Sequence, residues 1–362
     1  MTENKKTRVI VGMSGGVDSS AAAALLLEQG YDVVGITLKL WPQDCISRAE
    51  DKCCGPQAVA DARAVCHRLG IPFYLVDEAV DFQKLVINYF AEEYKSGRTP
   101  NPCVMCNQHL KFGTLIHRAR QLSGEYIATG HYARLERRED GRVLLKRGRD
   151  LRKDQSYFLF SLRQDQLRHS LFPLGELNKD STRDVAREAH LKTAEKEESM
   201  EICFVPDNDY GAFLQKAKLV EPHRGEIVDL HGGVLGHHDG VEFYTIGQRK
   251  GLGISSPKPL YVIELDAANN RVVVADDSAL QRDEFTVGRC NWIPFDTPPD
   301  SIEVTAKIRY NHPGTPASVT PLSDGSAKVK LHTPQRAITP GQASVFYQDE
   351  LVVGGGWIAA GR

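Results

Sequence analysis

The sequence lacks any long hydrophobic run and has little net charge. No stretch of its 362 residues approaches the roughly 18–20 apolar residues that span a bilayer, so we expect no membrane association. The amino-terminal run MTENKKTRVI contains no apolar segment of the signal-peptide kind, which favours a cytoplasmic protein. A formal net charge of −2 excludes a uniformly basic nucleic-acid binder.

Cysteine is also scarce. Eight cysteines, unevenly spaced, are too few for the disulfide framework of a small secreted domain. In a reducing compartment such thiols serve as buried side chains, metal ligands or nucleophiles. A structural or fortuitous role is favoured for Cys45, Cys53, Cys54 and Cys66, since adjacent cysteines rarely ligate one metal. A core position is expected for Cys290.

The distribution of apolar runs predicts more than one domain. The first half alternates strand-like and helix-like runs, beginning with RVIVGM and SSAAAALLLEQG. This alternation predicts βαβ units, that is, a parallel sheet with helices on both faces. After Cys203, apart from a short amphipathic helix near residues 210–218, strand-like runs predict a small central β-rich domain and a C-terminal antiparallel β-barrel. The predicted domains are residues 1–206, 207–280 and 281–362.

One basic segment stands out against the balanced overall charge. From Arg134 to Lys153 there are nine Lys/Arg against four Asp/Glu. Asp140 and Gly141 lie between ARLERRE and RVLLKR and predict a tight β-hairpin turn. The segment is either a solvated hairpin of mixed charge or a contact surface for nucleic acid.

The strongest local signal is SGGVDS at residues 14–19, between a strand-like run and an alanine-rich helix. Glycines let backbone N–H groups converge, and the helix N-terminus adds partial positive charge, so the loop suits a phosphate. It lacks the Gly-Lys-Ser/Thr of a Walker loop and the G-x-G-x-x-G of a dinucleotide site. The alternative is a structural Gly-Gly turn with a serine cap.

SGGVDS resembles the pyrophosphate loop of adenine-nucleotide α-hydrolases, which split ATP between the α and β phosphates to adenylate a substrate. The resemblance implies that Asp18 meets Mg²⁺ on the pyrophosphate and that Ser14 and Ser19 donate to phosphate oxygens. The implied nucleotide contacts are Gly12, Met13, Ser14, Gly15, Gly16, Val17, Asp18, Ser19, Leu38 and Gly130.

Two cysteine motifs follow. In TPNPCVMCN, at residues 99–107, two prolines predict an extended loop, with Cys103 and Cys106 at the start of a helix over 108–121. A helix N-terminus lowers a thiol pKa, yet a lone Cys-x-x-Cys equally fits zinc, a redox pair or chance. Cys203 lies in SMEICFVP, an apolar context typical of a buried, inert thiol.

Six motifs together are more specific. In chain order they are SGGVDSS, GRTPNPCVMCN, ATGHYA, KDQSYFL, SMEICFVP and TIGQRKGLG. Over nearly the whole chain they resemble the tRNA-specific 2-thiouridylases. The resemblance implies an ATP-binding α/β domain, a central domain and a β-barrel. It implies a monomeric tRNA-uridine 2-sulfurtransferase acting on the wobble uridine of tRNAs for Lys, Glu and Gln, with a cysteine desulfurase or sulfur-relay protein as donor.

The resemblance makes Cys203 the carrier of a persulfide sulfur and Cys106 the thiol that completes its transfer, with a transient disulfide between them. A second thiol or a reductant is needed because an S–S bond must be broken. Many family members have Asp where this chain has Cys103. Related sulfurtransferases with three such cysteines hold a 4Fe-4S cluster, so a cluster on Cys103, Cys106 and Cys203 is the second possible route.

The resemblance also implies contacts with tRNA. Those flanking the target base are Asn101, Pro102 and Cys103; others are His131, Lys153, Asp154, Gln155, Arg309, Tyr310 and Gln342. Gly130 and His131 end a strand, where ligand sites of α/β sheets collect, although His131 also fits a structural role. Arg309 and Tyr310 are interpreted as strand-borne, and His237-His238 as a loop.

Two other functions compete with this interpretation. The first is a different adenylating enzyme on the same loop, such as an amidating ligase or a lysidine-type tRNA synthase, which needs no paired thiols. The second is a non-catalytic RNA-binding module in which the hairpin and the barrel do the work and the loop is vestigial. The intact SGGVDS argues against the second.

Overall fold

The computed structural model describes residues 6–40, 55–197 and 202–360. The chain forms two compact units. The first contains the described residues of Met1–Val86, Cys103–Asn208 and Glu350–Val352, and the second those of Ile87–Pro102, Asp209–Asp349 and Val353–Arg362. No helix within the described ranges is long and apolar enough to cross a membrane.

A parallel sheet lies at the centre of the first unit. Its strands, among the described residues, are β1 Arg8–Gly12, β2 Asp32–Lys39, β3 Phe73–Asp77, β4 Tyr126–Ala128 and β7 Ser170–Leu171. Their order is β3-β2-β1-β4-β7, and all neighbours are parallel. Val9, Ile10 and Val11 are fully buried, as a strand covered on both faces requires. The strand order reverses between β1 and β4, where open α/β sheets bind ligands.

Helices cover both faces of this sheet, which confirms the predicted fold class. The α-helices in the described part of the chain are α1 Val17–Glu28, α2 Pro56–Leu69, α3 Ala79–Phe82, α4 Asn88–Lys95, α5 Pro102–Met105, α6 Leu115–Gln121, α7 Gln164–Arg168, α8 Lys179–Glu188 and α9 Tyr210–Lys216; α4 and α9 belong to the second unit. α1, α2 and α8 pack on the face of Val9 and Val11, whereas Leu115 of α6 lies over Gly12 on the opposite face.

Shorter helical turns connect these elements. Among the described residues, two segments have the wider π winding: Gln83–Ile87 and Cys106–Thr114. The 3₁₀ turns in the same ranges are Ser156–Leu159, Lys192–Glu195, Pro206–Asn208, Val241–Phe243 and Asp277–Leu280. A π turn inside an α-helix often marks a functional site, and the second one begins at a cysteine predicted to react.

The predicted hairpin is confirmed. β5 Ala133–Arg137 pairs antiparallel with β6 Val143–Arg147. Gly141 has a φ of 79°, a conformation that favours glycine. The basic segment thus begins with a regular two-stranded ribbon in the first unit.

The second unit contains a small mixed sheet. Its strands, in the described part of the chain, are β8 Gly225–Val228, β9 Val234–His238, β10 Tyr261–Asp266 and β11 Arg271–Ala275, in the order β10-β11-β8-β9. β8 and β11 are parallel. Contrary to the loop prediction, His237 and His238 lie in β9, because they pair with Glu226 and Gly225.

The same unit contains an antiparallel β-barrel, as predicted. Its strands within the described ranges are β12 Gln281–Trp292, β13 Ile302–Lys307, β14 Thr315–Pro321, β15 Ala327–Arg336, β16 Ala343–Gln348 and β17 Leu351–Ile358. Their order is β12-β15-β14-β13-β16-β17, and β17 pairs with β12, which closes the barrel. Alternate residues point inward, as in β13. The barrel therefore has its own hydrophobic core.

Phe346→Ala should destabilise the barrel more than Leu322→Ala does. Phe346 is fully buried and its ring stacks on Trp292 at 5.9 Å, so the truncation should cost about 3–5 kcal/mol. Urea unfolding followed by tryptophan fluorescence measures the loss. The control Leu322→Ala removes a side chain that is 37% exposed and should cost under about 1 kcal/mol. Equal losses in the two variants would contradict this packing.

Candidate active site

The SGGVDS loop is fixed at the carboxyl end of β1 by its own polar groups. Gly15 has a φ of 73°, and a Cβ there would lie 2.2 Å from the carbonyl oxygen of Ala58, so only glycine fits. The Ser14 N–H donates to Ser19 Oγ at 3.1 Å, and that hydroxyl donates to the Gly16 carbonyl at 3.2 Å. Gly16 is the N-cap of α1 and has no side chain to cover the helix N–H groups. The loop is preformed for an anion.

Asp18, in the first turn of α1, receives two donors from distant parts of the chain. Lys179 Nζ lies 2.6 Å from Asp18 Oδ1, and the Tyr132 hydroxyl donates to the same oxygen at 2.9 Å. Lys179 is the first residue of α8, whose N-cap Asn178 accepts the Ser181 N–H at 2.8 Å. Lys179 is only 9% exposed whereas the Asp18 side chain is 33% exposed, so the ammonium group is shielded from water and the carboxylate is partly open to it.

A second lysine reaches the loop itself. Lys196 Nζ donates to the Gly15 carbonyl at 3.1 Å and to Asp61 Oδ2, on α2, at 2.6 Å. The Arg183 guanidinium on α8 binds the carbonyls of Ala194 and Lys196, which holds the lysine-bearing turn. Two ammonium groups therefore flank the phosphate loop. Neither lysine could be predicted from the sequence, since a single lysine far from the loop belongs to no recognisable phosphate-binding motif.

The end of β4 packs directly on the start of α1. A Cβ at Gly130 would lie 2.8 Å from Ser19 N and 2.7 Å from the Asp18 carbonyl carbon, so this close approach requires glycine. Other predicted nucleotide residues lie at the same edge of the sheet. Gly12 ends β1, Met13 follows it, Val17 begins α1, and Leu38 is in β2. The structure thus brings the predicted nucleotide contacts together.

His131 lies just after Gly130 but is buried. Its Nδ1 is 2.7 Å from Thr129 Oγ1, and its ring contacts both Phe112 and Phe172, with centroids at 5.8 and 6.1 Å. Burial and the nearby Lys111 charge hold the pKa of His131 well below its usual range. The imidazole is therefore neutral in the folded chain at physiological pH.

The helix that carries Cys103 and Cys106 begins at Pro102 rather than at the predicted Gln108. Proline is favoured at the first position of a helix, where its missing N–H costs nothing. Cys106 is then the first residue of the π-wound segment and is largely buried. Both thiols lie in the first turns of a helix, as predicted.

The apolar context of Cys203 suggests a fully buried thiol, but the residue is only partly buried. It lies half-buried in a turn that is closed by the Val205 N–H donating to the Ile202 carbonyl at 3.0 Å. The next residue, Phe204, is buried and its ring contacts Phe82 with centroids 5.7 Å apart. The apolar neighbours anchor the turn and leave the thiol partly exposed.

Comparisons with known proteins agree with this arrangement. Three family models match in series: a tRNA methyl transferase HUP domain over residues 7–207, a tRNA methyl transferase PRC-barrel domain over 211–276, and an aminomethyltransferase beta-barrel domain over 282–358. The chain is 49% identical to the tRNA-specific 2-thiouridylase MnmA of Clostridium acetobutylicum, covering 98% of this chain and 99% of that protein. The MnmA of Geotalea uraniireducens is 50% identical, with 98% and 96% covered.

The chain belongs to the tRNA-specific 2-thiouridylase family. The segment that the family resemblance assigns to tRNA begins with Lys153, which is half-buried. Asp154 is buried, and its carboxylate accepts from the Gly148 and Ser156 N–H groups at 3.1 and 3.0 Å. Gln155 Oε1 accepts the Tyr132 N–H at 3.0 Å. In this thiouridylase fold, Asp154 and Gln155 hold the turn together and position Lys153.

The remaining predicted tRNA residues belong to the second unit of this thiouridylase. Asn101 and Pro102 are buried, and Gln342 donates to the carbonyls of Thr99 and Pro100 at 3.0 and 3.2 Å. Gln342 thus holds the segment Thr99–Pro100, which leads to Asn101. Arg309 and Tyr310 lie in the turn after β13 rather than in a strand. The pairing of β13 with β16 ends at Lys307, so both residues lie beyond the paired strand.

The other cysteines bear out part of the prediction. Cys66 is buried and burial raises its pKa to about 11, and Cys290 is half-buried with its pKa raised to about 12 by burial and by Asp324. Cys45, Cys53 and Cys54 lie outside the described residues. None of the described cysteines forms a disulfide. Within the described ranges, no three Cys, His, Asp or Glu side chains are grouped closely enough to hold a metal ion.

His131 should make the first unit sensitive to acid. Its pKa is lowered in the fold, so the unfolded chain binds a proton below about pH 6.5 that the folded chain does not. Stability should therefore fall with pH below that value, by up to about 1.4 kcal/mol per pH unit for this group. Melting temperatures from pH 7.5 to 5.5 should fall less steeply in His131→Gln. Val65→Ala, which loses buried packing on α2, should keep the wild-type slope; equal slopes in wild type and His131→Gln would contradict the assignment.

Proposed function

We propose that the chain is a tRNA-uridine 2-sulfurtransferase that uses ATP and Mg²⁺ to activate the 2-oxygen of a wobble uridine and then replaces that oxygen with sulfur. The proposal rests on the family membership and, above all, on the two lysines that converge on the SGGVDS loop. Lys179 and Lys196 supply positive charge beside a turn whose backbone N–H groups already suit phosphate. We assign the triphosphate of ATP to this loop.

The predicted nucleotide residues fit ATP. Gly130 lets the chain after β4 approach the start of α1 closely, Gly12 ends β1, and Leu38 is on the neighbouring strand β2. Asp18 is one-third exposed and offers a carboxylate oxygen, the ligand that Mg²⁺ prefers. We assign Asp18 to Mg²⁺ on the pyrophosphate, and Ser14 and Ser19 to phosphate oxygens. Lys179 and Tyr132 hold that carboxylate in place.

The chemistry requires two thiols. Adenylation converts the poor oxygen leaving group at uridine C2 into AMP. The terminal sulfur of a Cys203 persulfide then forms the new C–S bond as AMP departs. The Cys106 thiolate attacks Cys203 Sγ, which breaks the S–S bond, leaves the sulfur on the uridine and forms a Cys106–Cys203 disulfide. An external thiol reductant restores both cysteines.

The tRNA and the sulfur donor complete the proposal. Asn101, Pro102 and Cys103 would flank a base turned out of its stack; the other tRNA contacts would be His131, Lys153, Asp154, Gln155, Arg309, Tyr310 and Gln342. The substrates would be the tRNAs for Lys, Glu and Gln. The donor would be a cysteine desulfurase or a sulfur-relay protein, and the enzyme would act in the cytoplasm as a monomer.

An iron–sulfur route would use Cys103, Cys106 and Cys203 as three thiolate ligands. In the part of the chain that the structure describes, these three thiols do not form a group that could hold a metal ion, and the proposed steps use no cluster. Anaerobic reconstitution with iron and sulfide tests this route: visible absorbance bands together with a gain in thiolation would replace the persulfide step with a cluster-based one.

Cys106→Ser and Cys203→Ser should each abolish thiolation, with a loss of at least about 100-fold, because a serine hydroxyl supplies no thiolate. The measurement is mass spectrometry of nucleosides from tRNA incubated with enzyme, ATP, Mg²⁺, a persulfide donor and reductant. Cys290→Ser, in the barrel, is the matched control and should retain activity. If both variants keep making 2-thiouridine, or if the wild type makes none, the proposed sulfur chemistry is wrong.

Gly15→Ala should weaken ATP binding by at least about tenfold, roughly 1.4 kcal/mol. The new Cβ would collide with the Ala58 carbonyl at a backbone angle that disfavours alanine, which would push the loop out of shape. The matched control is Gly30→Ala: Gly30 also has a positive φ, of 87°, but no atom lies within 4 Å of its Cβ position. Isothermal titration calorimetry with ATP compares the two. Equal ATP affinities in the two variants would contradict phosphate binding at this loop.

A further inference from the structure

We propose that Gln166 is a positioning residue for Cys106, because its amide holds the π-wound segment that begins at this cysteine. The inference rests on the proposed role of Cys106 in sulfur transfer and adds a residue to it. Gln166 lies on α7, about sixty positions from Cys106 in the chain. It is only 6% exposed, so its hydrogen bonds are made inside the protein.

The Gln166 side chain is fully engaged with two backbone segments. Its Nε2 donates to the carbonyls of Gln108 and Phe112, at 2.9 and 2.8 Å. Its Oε1 accepts the Arg163 N–H at 3.0 Å, at the start of α7. The main chain of Gln166 is held as well, since its carbonyl accepts the Ser170 hydroxyl at 2.7 Å. The amide therefore links a fixed end of α7 to two carbonyls of the segment Cys106–Thr114.

The π winding explains why this support matters. In the segment Cys106–Thr114 the bonds run to the fifth residue back, as in the Leu115 N–H to the Leu110 carbonyl. Such winding is rare and usually limited to a single turn, because it is less favourable than the α-helix. If the segment relaxed to α winding, residues before it would rotate relative to α6. The direction of the Cys106 thiol thus depends on the winding.

A second contact holds the first turn. Asn107 is 2% exposed, and its Nδ2 donates to the Phe158 carbonyl at 3.1 Å. The segment is therefore held at its first turn by Asn107 and further along by Gln166. The first contact ties the segment to the 3₁₀ turn Ser156–Leu159; the second spans Gln108 and Phe112, one turn apart.

The chain offers a closely matched control on the same helix. Gln164 is two residues from Gln166 and also uses its amide on backbone groups: Nε2 donates to the Val143 carbonyl at 2.8 Å, and Oε1 accepts the Val143 N–H at 2.9 Å. These bonds hold β6, not the cysteine-bearing segment. Gln164→Met therefore loses comparable bonds to those lost in Gln166→Met without touching the π winding.

The test compares the two methionine variants by three readouts. Gln166→Met should lower kcat for tRNA thiolation by at least about tenfold, with KM for tRNA within about twofold of wild type. The rate at which iodoacetamide alkylates Cys106, relative to Cys290 and read by peptide mass spectrometry, should change at least threefold. Gln164→Met should leave kcat and this ratio unchanged. Pyrophosphate release, which depends on the phosphate loop, should survive in both.

Each outcome decides something specific. If Gln166→Met and Gln164→Met match in kcat and in Cys106 alkylation, Gln166 is structural only and the inference is wrong. If the wild type makes no 2-thiouridine, the proposed function fails whatever Gln166 does; if Cys106→Ser keeps thiolation, the proposed role of Cys106 is wrong. Should Gln166→Met not fold, Gln166→Glu replaces it, since that side chain keeps its length and the acceptor for the Arg163 N–H but loses both donors.

Discussion

The close contact between the end of β4 and the start of α1 sets the geometry of the phosphate site. Gly130 permits it, since any Cβ there would collide with Asp18 and Ser19. With β4 that near, Tyr132 reaches the Asp18 carboxylate two residues later in the chain. The contact is possible because the strand order of the parallel sheet reverses between β1 and β4, which leaves a crevice above both carboxyl ends. The residues predicted to contact the nucleotide, together with Lys179 and Lys196, lie at this edge of the sheet.

Much of the fold could be predicted because its signals are local. The Asp140-Gly141 turn needs a positive φ that a glycine supplies, and the SGGVDS loop needs Gly15 for the same reason, so a few adjacent residues specify the geometry. Alternating apolar runs predicted the parallel sheet, since a strand buried on both faces has to be apolar throughout. The loop prediction for His237 and His238 was wrong because these residues pair with β8 despite their glycine-rich context.

The site residues that sequence reasoning missed are all long-range. Lys179 and Lys196 reach the loop from 161 and 181 positions away, and neither stands in a motif that indicates a phosphate. Their roles depend on how α8 packs against α1, which no local pattern encodes. The helix start at Pro102 was missed for a different reason: two prolines in TPNPC favour an extended loop, but the second also suits the first turn of a helix.

Each lysine at the loop has an acidic partner. Lys179 is buried, and an ammonium group shielded from water is costly unless an anion lies beside it; the Lys196 side chain is 33% exposed, so burial constrains it less. Lys179 has Asp18 at 2.6 Å and Lys196 has Asp61 at 2.6 Å. These carboxylates keep both cations beside the loop when no phosphate is bound. A polyanion that enters the loop then meets ammonium groups already in position, so its binding need not overcome the conformational entropy of two free lysine side chains. The acidic partners reduce the net attraction for phosphate, and in exchange they keep the site preorganised.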